Sequence, residues 1–507
     1  MSFNRINNMV GWIVTFIACT VYIMTAEAGG SLWDCGEFVS SCFKLQIPHP
    51  PGAPLFVIMG RIFIIAFGND PLTAAKAVNV MSALASGFTI MFLFWTITHF
   101  ARKIVQKGEE ALNGNQVFSI MAAGVVGALA YTFSDSFWYS AVEGEVYALS
   151  SFFTALVFWM MLKWEHNADK PGADRWIVLI FFMMGLSIGV HLLNLLTIPA
   201  IVMVYYYKRY KVTKWGTFWA FVIGCIITGV AQKAVIQYTI KAAGSMDVFF
   251  VNSLGLPFFT GFATVFIILA LLIYAGIHYA NSGKMKRNPY FLKLGLWCFA
   301  FMLLGYSTYM TTLIRSAANP AIDMYNVDNP MSLEGYLGRE QYGDFPLLYG
   351  QVFTAKPTDY EEGNMKYAKG KDKYIEVGRD QKPVYDAADK MFLPRVWDGS
   401  NDQGHATFYQ RWLNLEDGQA PSMADNVKWA ISYQIGWMYL RYFGWNFIGK
   451  QNDIQGFGNK RDGNSLTGIA PVDNTLLKDQ AKLPSSIQHN KANNKLFALP
   501  FILGLIG

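Results

Sequence analysis

Charge is scarce in this sequence. Asp, Glu, Lys and Arg make up 15% of its 507 residues, where soluble proteins carry about 25%. Acidic residues are the scarcest where it matters most. Residues 1–313 hold 13 of the 35 Asp and Glu, and the last 194 residues hold the other 22. This balance excludes a chain of soluble domains and an intrinsically disordered polymer. The surplus of +6 is thinly spread, which argues against a nucleic-acid partner. Cysteine is also sparse, at five residues, and no spacing among them reads as a zinc site. Cys35 and Cys42 lie seven residues apart. On a helix that is about 10 Å, too far for a disulfide. No phosphate-cradling or dinucleotide glycine pattern stands out.

What is abundant is apolar. Hydrophobic residues reach 53% and aromatics 16%. The expected fold class is an all-α polytopic membrane protein with about nine to ten transmembrane helices. A span needs about 20 apolar residues. Nine candidates fit, at 9–26, 72–100, 117–134, 146–163, 176–190, 195–207, 216–235, 257–279 and 292–313. The stretch 176–207 could be one long helix or two short ones, because His191, Asn194 and Pro199 interrupt it.

Basic loops set the expected orientation. Arg102, Lys103 and Lys107 form one; Lys163, Lys170 and Arg175 a second; Lys208, Arg209, Lys211 and Lys214 a third; Lys284, Lys286, Arg287 and Lys293 a fourth. With nine spans all four share one side with the N-terminus, which should be cytoplasmic. The segments 27–70, 135–145 and 236–256 then face outward, as does everything from 314. Ala26-Glu27-Ala28 resembles a signal cleavage site, but the apolar run before it is longer than a usual signal core, which favours a retained span.

The expected organisation is a membrane core at 1–313 with an outer loop at 27–70, and a water-facing region at 314–495. Residues 359–390 read as an exposed insertion. Residues 429–449 read as an amphipathic interfacial helix or, second, a tenth span. Residues 496–507 read as the beginning of a further, truncated transmembrane helix.

The first outer segment carries the chemistry. Trp33-Asp34-Cys-Gly-Glu37 puts two carboxylates on one helix face. Lys44 follows, then the rigid turn Pro48-His49-Pro-Pro-Gly-Ala-Pro54 and a helix bearing Arg61. One reading is structural, with Asp34 as helix N-cap and Glu37 as its capping-box partner. The other is a general base beside cations. The second outer segment adds Asp135, Trp138, Tyr139, Glu143 and Glu145. Lys233, Lys241 and Asp247 come from the third. Arg315 and Asn319 follow the ninth span, with Arg339 beyond. Acids, cations and aromatics from four segments suit a sugar or isoprenoid site. Each also has a plainer role. Arg315 could snorkel at a helix end, Glu143 and Glu145 could be solvated, His191 could be a core hydrogen-bonder, and Arg339, Glu340 and Tyr342 could simply brace a loop.

Two of these stretches carry a resemblance. Asp34-Cys-Gly-Glu37 with His49-Pro-Pro-Gly-Ala-Pro, and Arg315-Ser-Ala-Ala-Asn319-Pro…Asp328-Asn-Pro…Arg339-Glu-Gln-Tyr-Gly, resemble a membrane family formerly known only as a domain of unknown function. A third stretch, Tyr439-Leu-Arg-Tyr-Phe-Gly-Trp-Asn446, looks like its bacterial branch. The animal member looks like a protein O-mannosyltransferase, and the family is placed among the GT-C glycosyltransferases. The resemblance implies an inverting transferase in a bacterial inner membrane, with its site on the periplasmic face. Its donor would be a polyprenyl-phosphate-linked sugar, and its acceptor a protein hydroxyl or another envelope glycan. Asp34 would be the base, with Glu37 as helper. Arg315, His49, Arg61 and Lys44 would hold the phosphate, and Trp33, Trp138, Tyr139, Glu143 and Glu145 the sugar. Cys35 stands where the animal pattern has Ser. No resident cofactor is implied, and a divalent metal stays open. The alternatives are a transporter or lipid flippase, and a non-enzymatic envelope assembly subunit.

Overall fold

Apolar runs of about 20 residues, broken by basic or Gly/Pro-rich loops, fold as helices because lipid offers no partner for the backbone. A computed structural model describes residues 2–106, 108, 110–400 and 404–506. Lys107 of the first basic loop and Gly507 lie outside the described residues. The chain divides into two units. The first comprises Met1–Phe133, Phe137–Tyr342 and Tyr367–Val377; the second comprises Ser134–Ser136, Gly343–Lys366 and Gly378–Gly507.

In the first unit α1 (Phe3–Thr25) is followed by the short α2 (Cys35–Lys44) and α3 (Pro54–Ala66). Next come α4 (Pro71–Val105), α5 (Gly114–Thr132), α6 (Asp135–Val142), α7 (Val146–Asn167), α8 (Arg175–Ile188) and α9 (Ile198–Arg209). Then α10 (Lys214–Val230) runs through one π-helical stretch into α11 (Thr239–Leu254), followed by α12 (Thr260–Asn281), α13 (Pro289–Tyr306), α14 (Met310–Ser316) and α15 (Pro330–Gly338). Among the described residues, seven helices are long and apolar enough to cross a membrane, and α3 and α8 are shorter apolar helices. The protein is an all-α, multi-pass membrane protein.

The ambiguous stretch resolves into two helices. α8 ends at Ile188, a 3-10 turn covers Leu192–Thr197, and α9 begins at Ile198. Asn194 is fully buried in the break and donates to Ser187 Oγ at 2.9 Å. One expectation needs correction. Residues 236–254 are helical where a loop is expected, because the helix begun at Lys214 continues to Leu254. Asp247 inside it is fully buried and serves the start of α12, accepting from the amides of Phe259, Gly261 and Phe262 and from the Tyr374 hydroxyl. Lys241 pairs with Glu334 at 3.2 Å.

Small residues let the helices close. A Cβ on Gly305 would lie 2.5 Å from Leu186 N and Phe182 O, so α13 meets α8 backbone to backbone there. Trp164 of α7, fully buried, stacks on Tyr205 of α9 at 5.1 Å. α4 contributes to two buried clusters. Ala77, Val78 and Met81 pack with Phe38 and Phe56, while Ile90 and Phe94 pack with Val14 and Ile120. This fixes α2 and α3 against the bundle.

In the second unit, β1 (Tyr349–Gln351) pairs antiparallel with β4 (Lys390–Phe392), Tyr349 opposite Phe392. The expected exposed insertion is the paired strands β2 (Asp359–Lys369) and β3 (Tyr374–Val384), of which residues 367–369 and 374–377 belong to the first unit. Helices α16 (His405–Leu413), α17 (Met423–Lys428) and α18 (Arg441–Phe447) follow, with a π-helical stretch joining α17 to α18. Residues 429–449 therefore lie largely on one helix that starts at Met423. The terminal apolar run forms α19 (Leu499–Ile506), with Leu499, Ile502, Leu503 and Leu505 exposed.

Candidate active site

The segment between α1 and α2 is held by side chains of α4. Asn79 donates to the carbonyls of Glu27 at 2.9 Å and Gly29 at 3.1 Å, and Lys76 reaches the Ala26 carbonyl at 2.6 Å. Trp33 then takes a left-handed φ of 62° and Asp34 starts α2. Asp34 occupies the N-cap position, yet its side chain makes no capping hydrogen bond. Its carboxylate is 55% exposed and free to meet a ligand.

Glu37 has likewise left the capping role. Its Oε1 accepts from the His49 amide at 2.6 Å, and its Oε2 lies 3.1 Å from His49 Nδ1. The other ring nitrogen, Nε2, lies 3.9 Å from Asp34. The Glu37 hydrogen bond pushes the His49 imidazole up, more than burial pushes it down. Burial pushes Glu37 up, but His49 outweighs it and holds the carboxyl below its ordinary value.

The proline turn that carries His49 is clamped on both sides. The Tyr336 hydroxyl of α15 donates to the Pro48 carbonyl, and the Tyr309 hydroxyl to the Gly52 carbonyl at 3.3 Å. Ile47 pairs with the backbone of 322–324, and the Leu55 amide donates to the Gly189 carbonyl at 2.8 Å. The Pro50–Pro51 bond is cis.

These elements border a cavity of about 540 Å³ that also takes in Glu145, Tyr147, His191, Arg339 and Tyr342. Glu145 is buried, and burial pushes its carboxyl up to about 7, with Asp34 and Glu143 adding to the shift. The Cys35 thiol lies 4.0 Å from Glu145. Burial, then the charges of Glu143, Glu145 and Asp34, push that thiol up to about 12. Burial also pushes Glu143 up, against a hydrogen bond from Ser31.

The cavity thus gathers Asp34, Glu37, His49, Glu145 and Arg339. The other expected residues lie elsewhere. Arg315 donates to the carbonyls of Leu45 at 2.8 Å and Lys44 at 3.2 Å, closing the C-terminus of α2. Arg61 donates to the Phe43 carbonyl at 2.6 Å and to Asn69 at 2.7 Å. Lys44 is exposed, Trp33 is 95% exposed, and Asn319 sits in an exposed turn with a left-handed φ. Trp138 packs edge-on against Tyr22 at 5.7 Å, and its neighbour Tyr139 is exposed. Tyr147 and His191, whose rings lie 5.4 Å apart, are in the cavity as well, and nothing in the local sequence marks Tyr147. The break beside Asn194 was the only clue to His191. One ligand atom from each of Asp34, Glu37 and His49 lies within 4.8 Å of the others. Two carboxylates and an imidazole are a donor set that fits a divalent cation.

Residues 34–214 match the family model of the protein O-mannosyl-transferase TMEM260 N-terminal domain. This chain is related to that family. It is 26% identical over 149 residues to protein O-mannosyl-transferase tmem260 of Dictyostelium discoideum, covering 29% of this chain and 16% of the relative. It is 26% identical over 155 residues to protein O-mannosyl-transferase TMEM260 of Mus musculus, covering 31% and 19%. The matched stretches therefore span less than a fifth of these relatives' length. The matched domain begins at Asp34 and includes Glu37, His49, Glu145, Tyr147 and His191, but not Arg339. Residues 343–431 match a family of unknown function. No solved structure matches.

Proposed function

We propose that the protein is a membrane glycosyltransferase that moves a sugar from a polyprenyl-phosphate donor to a protein hydroxyl on the outer membrane face. Asp34 carries the reading. It is an exposed carboxylate at a helix start that does no capping, it borders a cavity with Glu37, His49 and Arg339, and it opens the segment shared with protein O-mannosyl-transferases.

In this mechanism the acceptor oxygen attacks the anomeric carbon as the bond from that carbon to the phosphate oxygen breaks. The acceptor proton passes to Asp34, and the electron pair leaves with the polyprenyl phosphate. One displacement inverts the anomeric centre. Arg339 meets the departing phosphate, since a guanidinium binds phosphate oxygens in pairs. Arg315 does not take that role, because α2 already occupies it. Glu37 fixes the His49 ring, and Tyr147, His191 and Tyr342 flank the sugar. A divalent cation held by Asp34, Glu37 and His49 would add positive charge beside the phosphate.

The test offers a polyprenyl-phosphate sugar and a Ser/Thr peptide to the purified protein in nanodiscs. A positioned base contributes about 10²–10⁴-fold, so Asp34→Asn should lose transfer by that order. Equal transfer by both forms would sink the assignment of Asp34. No transfer from any lipid donor, with lipid or solute movement instead, would favour a transporter.

A further inference from the structure

A second polar cavity, of about 290 Å³, lies between the first turns of α1 and the last turns of α4 and α7. Its wall includes Asn7, Trp95, Arg102, Lys163 and His166. Along α4, Arg102 lies 23 residues beyond Asn79, which braces the segment leading to Asp34. At 1.5 Å per residue that is about 35 Å, close to the roughly 30 Å of a bilayer core. The two cavities therefore open at opposite membrane boundaries.

The charge here is unbalanced. Glu165 at this end is already taken by His99 at 3.1 Å and by Lys103. Arg102, Lys163 and His166 have no carboxylate partner among the described residues. Arg102 donates one bond, to Gln106 at 2.7 Å, and lies over the Phe3 ring at 4.8 Å. Lys163 sits over the Trp159 ring at 4.9 Å. In the same wall the Trp95 indole nitrogen and the Asn7 amide oxygen are buried without a hydrogen-bond partner. Buried polar groups are rarely left so.

An oxygen-rich anion answers these features together. Its oxygens would accept from Arg102 and Lys163, and the Asn7 amide can turn to donate as well. The cavity holds far more than one water, whose share of volume is about 30 Å³. Its aromatic floor and its place at the membrane boundary suit a group attached to acyl chains. Basic pockets between transmembrane helices recognise phosphate headgroups by this chemistry. We propose that this cavity binds the phosphate headgroup of an anionic phospholipid, held by Arg102 and Lys163. The proposal stands on residues apart from Asp34 and does not rest on the transferase reading.

Native mass spectrometry of the purified protein tests it, with phosphatidylglycerol, phosphatidylcholine and inorganic phosphate as separate probes. Phosphatidylglycerol should be retained at least about tenfold over phosphatidylcholine, whose choline cation Arg102, Lys163 and His166 would repel. Arg102→Ala/Lys163→Ala should abolish that preference. Lys163→Ala alone, at an exposed position, should reduce it about threefold by removing one of the two cations, and it decides the matter if the double variant does not fold. Lys284→Ala, in another basic loop, should leave it unchanged. Equal retention of the two lipids by the wild type, or an undiminished preference in a folded double variant, would overturn the site. Displacement of phosphatidylglycerol by an equal concentration of inorganic phosphate would overturn the lipid assignment.

Discussion

His49 grips Glu37 twice, with its amide 2.6 Å from one carboxylate oxygen and its ring Nδ1 3.1 Å from the other. The second contact sets the tautomer and aims Nε2 at Asp34, 3.9 Å away. A hydrogen bond to a charged group contributes about 1.5–3 kcal/mol. Glu37→Gln should therefore lower stability by about 1–2 kcal/mol, with a larger loss of activity, because His49 turns away from Asp34. Unchanged activity would show that His49 needs no positioning.

The same pair predicts a pH dependence. His49 is raised, so its contribution is full below about 6.5 and is lost as pH rises through its folded value. Glu37 is lowered, so its contribution is full above about 4.5 and is lost as pH falls through its folded value. The thermal shift between wild type and Glu37→Gln should be largest at about pH 5–6 and shrink towards pH 9. A difference constant with pH would exclude the ion pair as its source.

Glu145 should behave in the opposite sense. Its carboxyl is raised to about 7, so the folded state favours the proton, and ionisation costs stability as pH rises from about 4.5 to 7. Glu145→Gln keeps an acceptor for the Val146 amide. It should melt higher than wild type at about pH 8 and near it at about pH 5. A lower melting temperature at alkaline pH would mean that the native carboxylate is charged and paired.

Gly52 sits at φ 70° with the Tyr336 hydroxyl where a Cβ would go. Gly52→Ala meets both backbone strain and overlap and should cost about 2–4 kcal/mol. Tyr336→Phe loses only the bond to the Pro48 carbonyl, about 1–3 kcal/mol for a buried acceptor left bare. Chemical denaturation should rank the two in that order. The reverse ranking would mean that the turn adapts freely.

Arg315 and Arg339 should separate in kinetics. Arg315→Ala frees two α2 carbonyls and should cost about 1–2 kcal/mol of stability, with little change in donor KM. Arg339→Ala should leave melting within about 0.5 kcal/mol and weaken donor use about tenfold or more. A donor KM raised by Arg315→Ala without destabilisation would reverse the assignment.

Much of the architecture was legible in the sequence. Spans declare themselves through runs of about 20 apolar residues, a local property that lipid enforces. Scarce acids made Asp34 and Glu37 conspicuous, and the break at His191 and Asn194 was marked by polarity alone. The length of α10 and α11 was misjudged, because Lys233, Lys241 and Asp247 read as a loop when their partners are out of sight. What only the tertiary structure decided are contacts across long separations. Glu145 meets Cys35 across 110 residues, and Tyr336 clamps Pro48 across 288. Arg315 and Arg339 look alike in sequence, yet one closes a helix and the other lies over the Tyr342 ring on the cavity wall. Periodicity says which face of a helix is apolar, but helix packing alone chooses which loops share a cavity. That choice rests on close approaches such as Gly305 against α8, whose partners lie more than a hundred residues away.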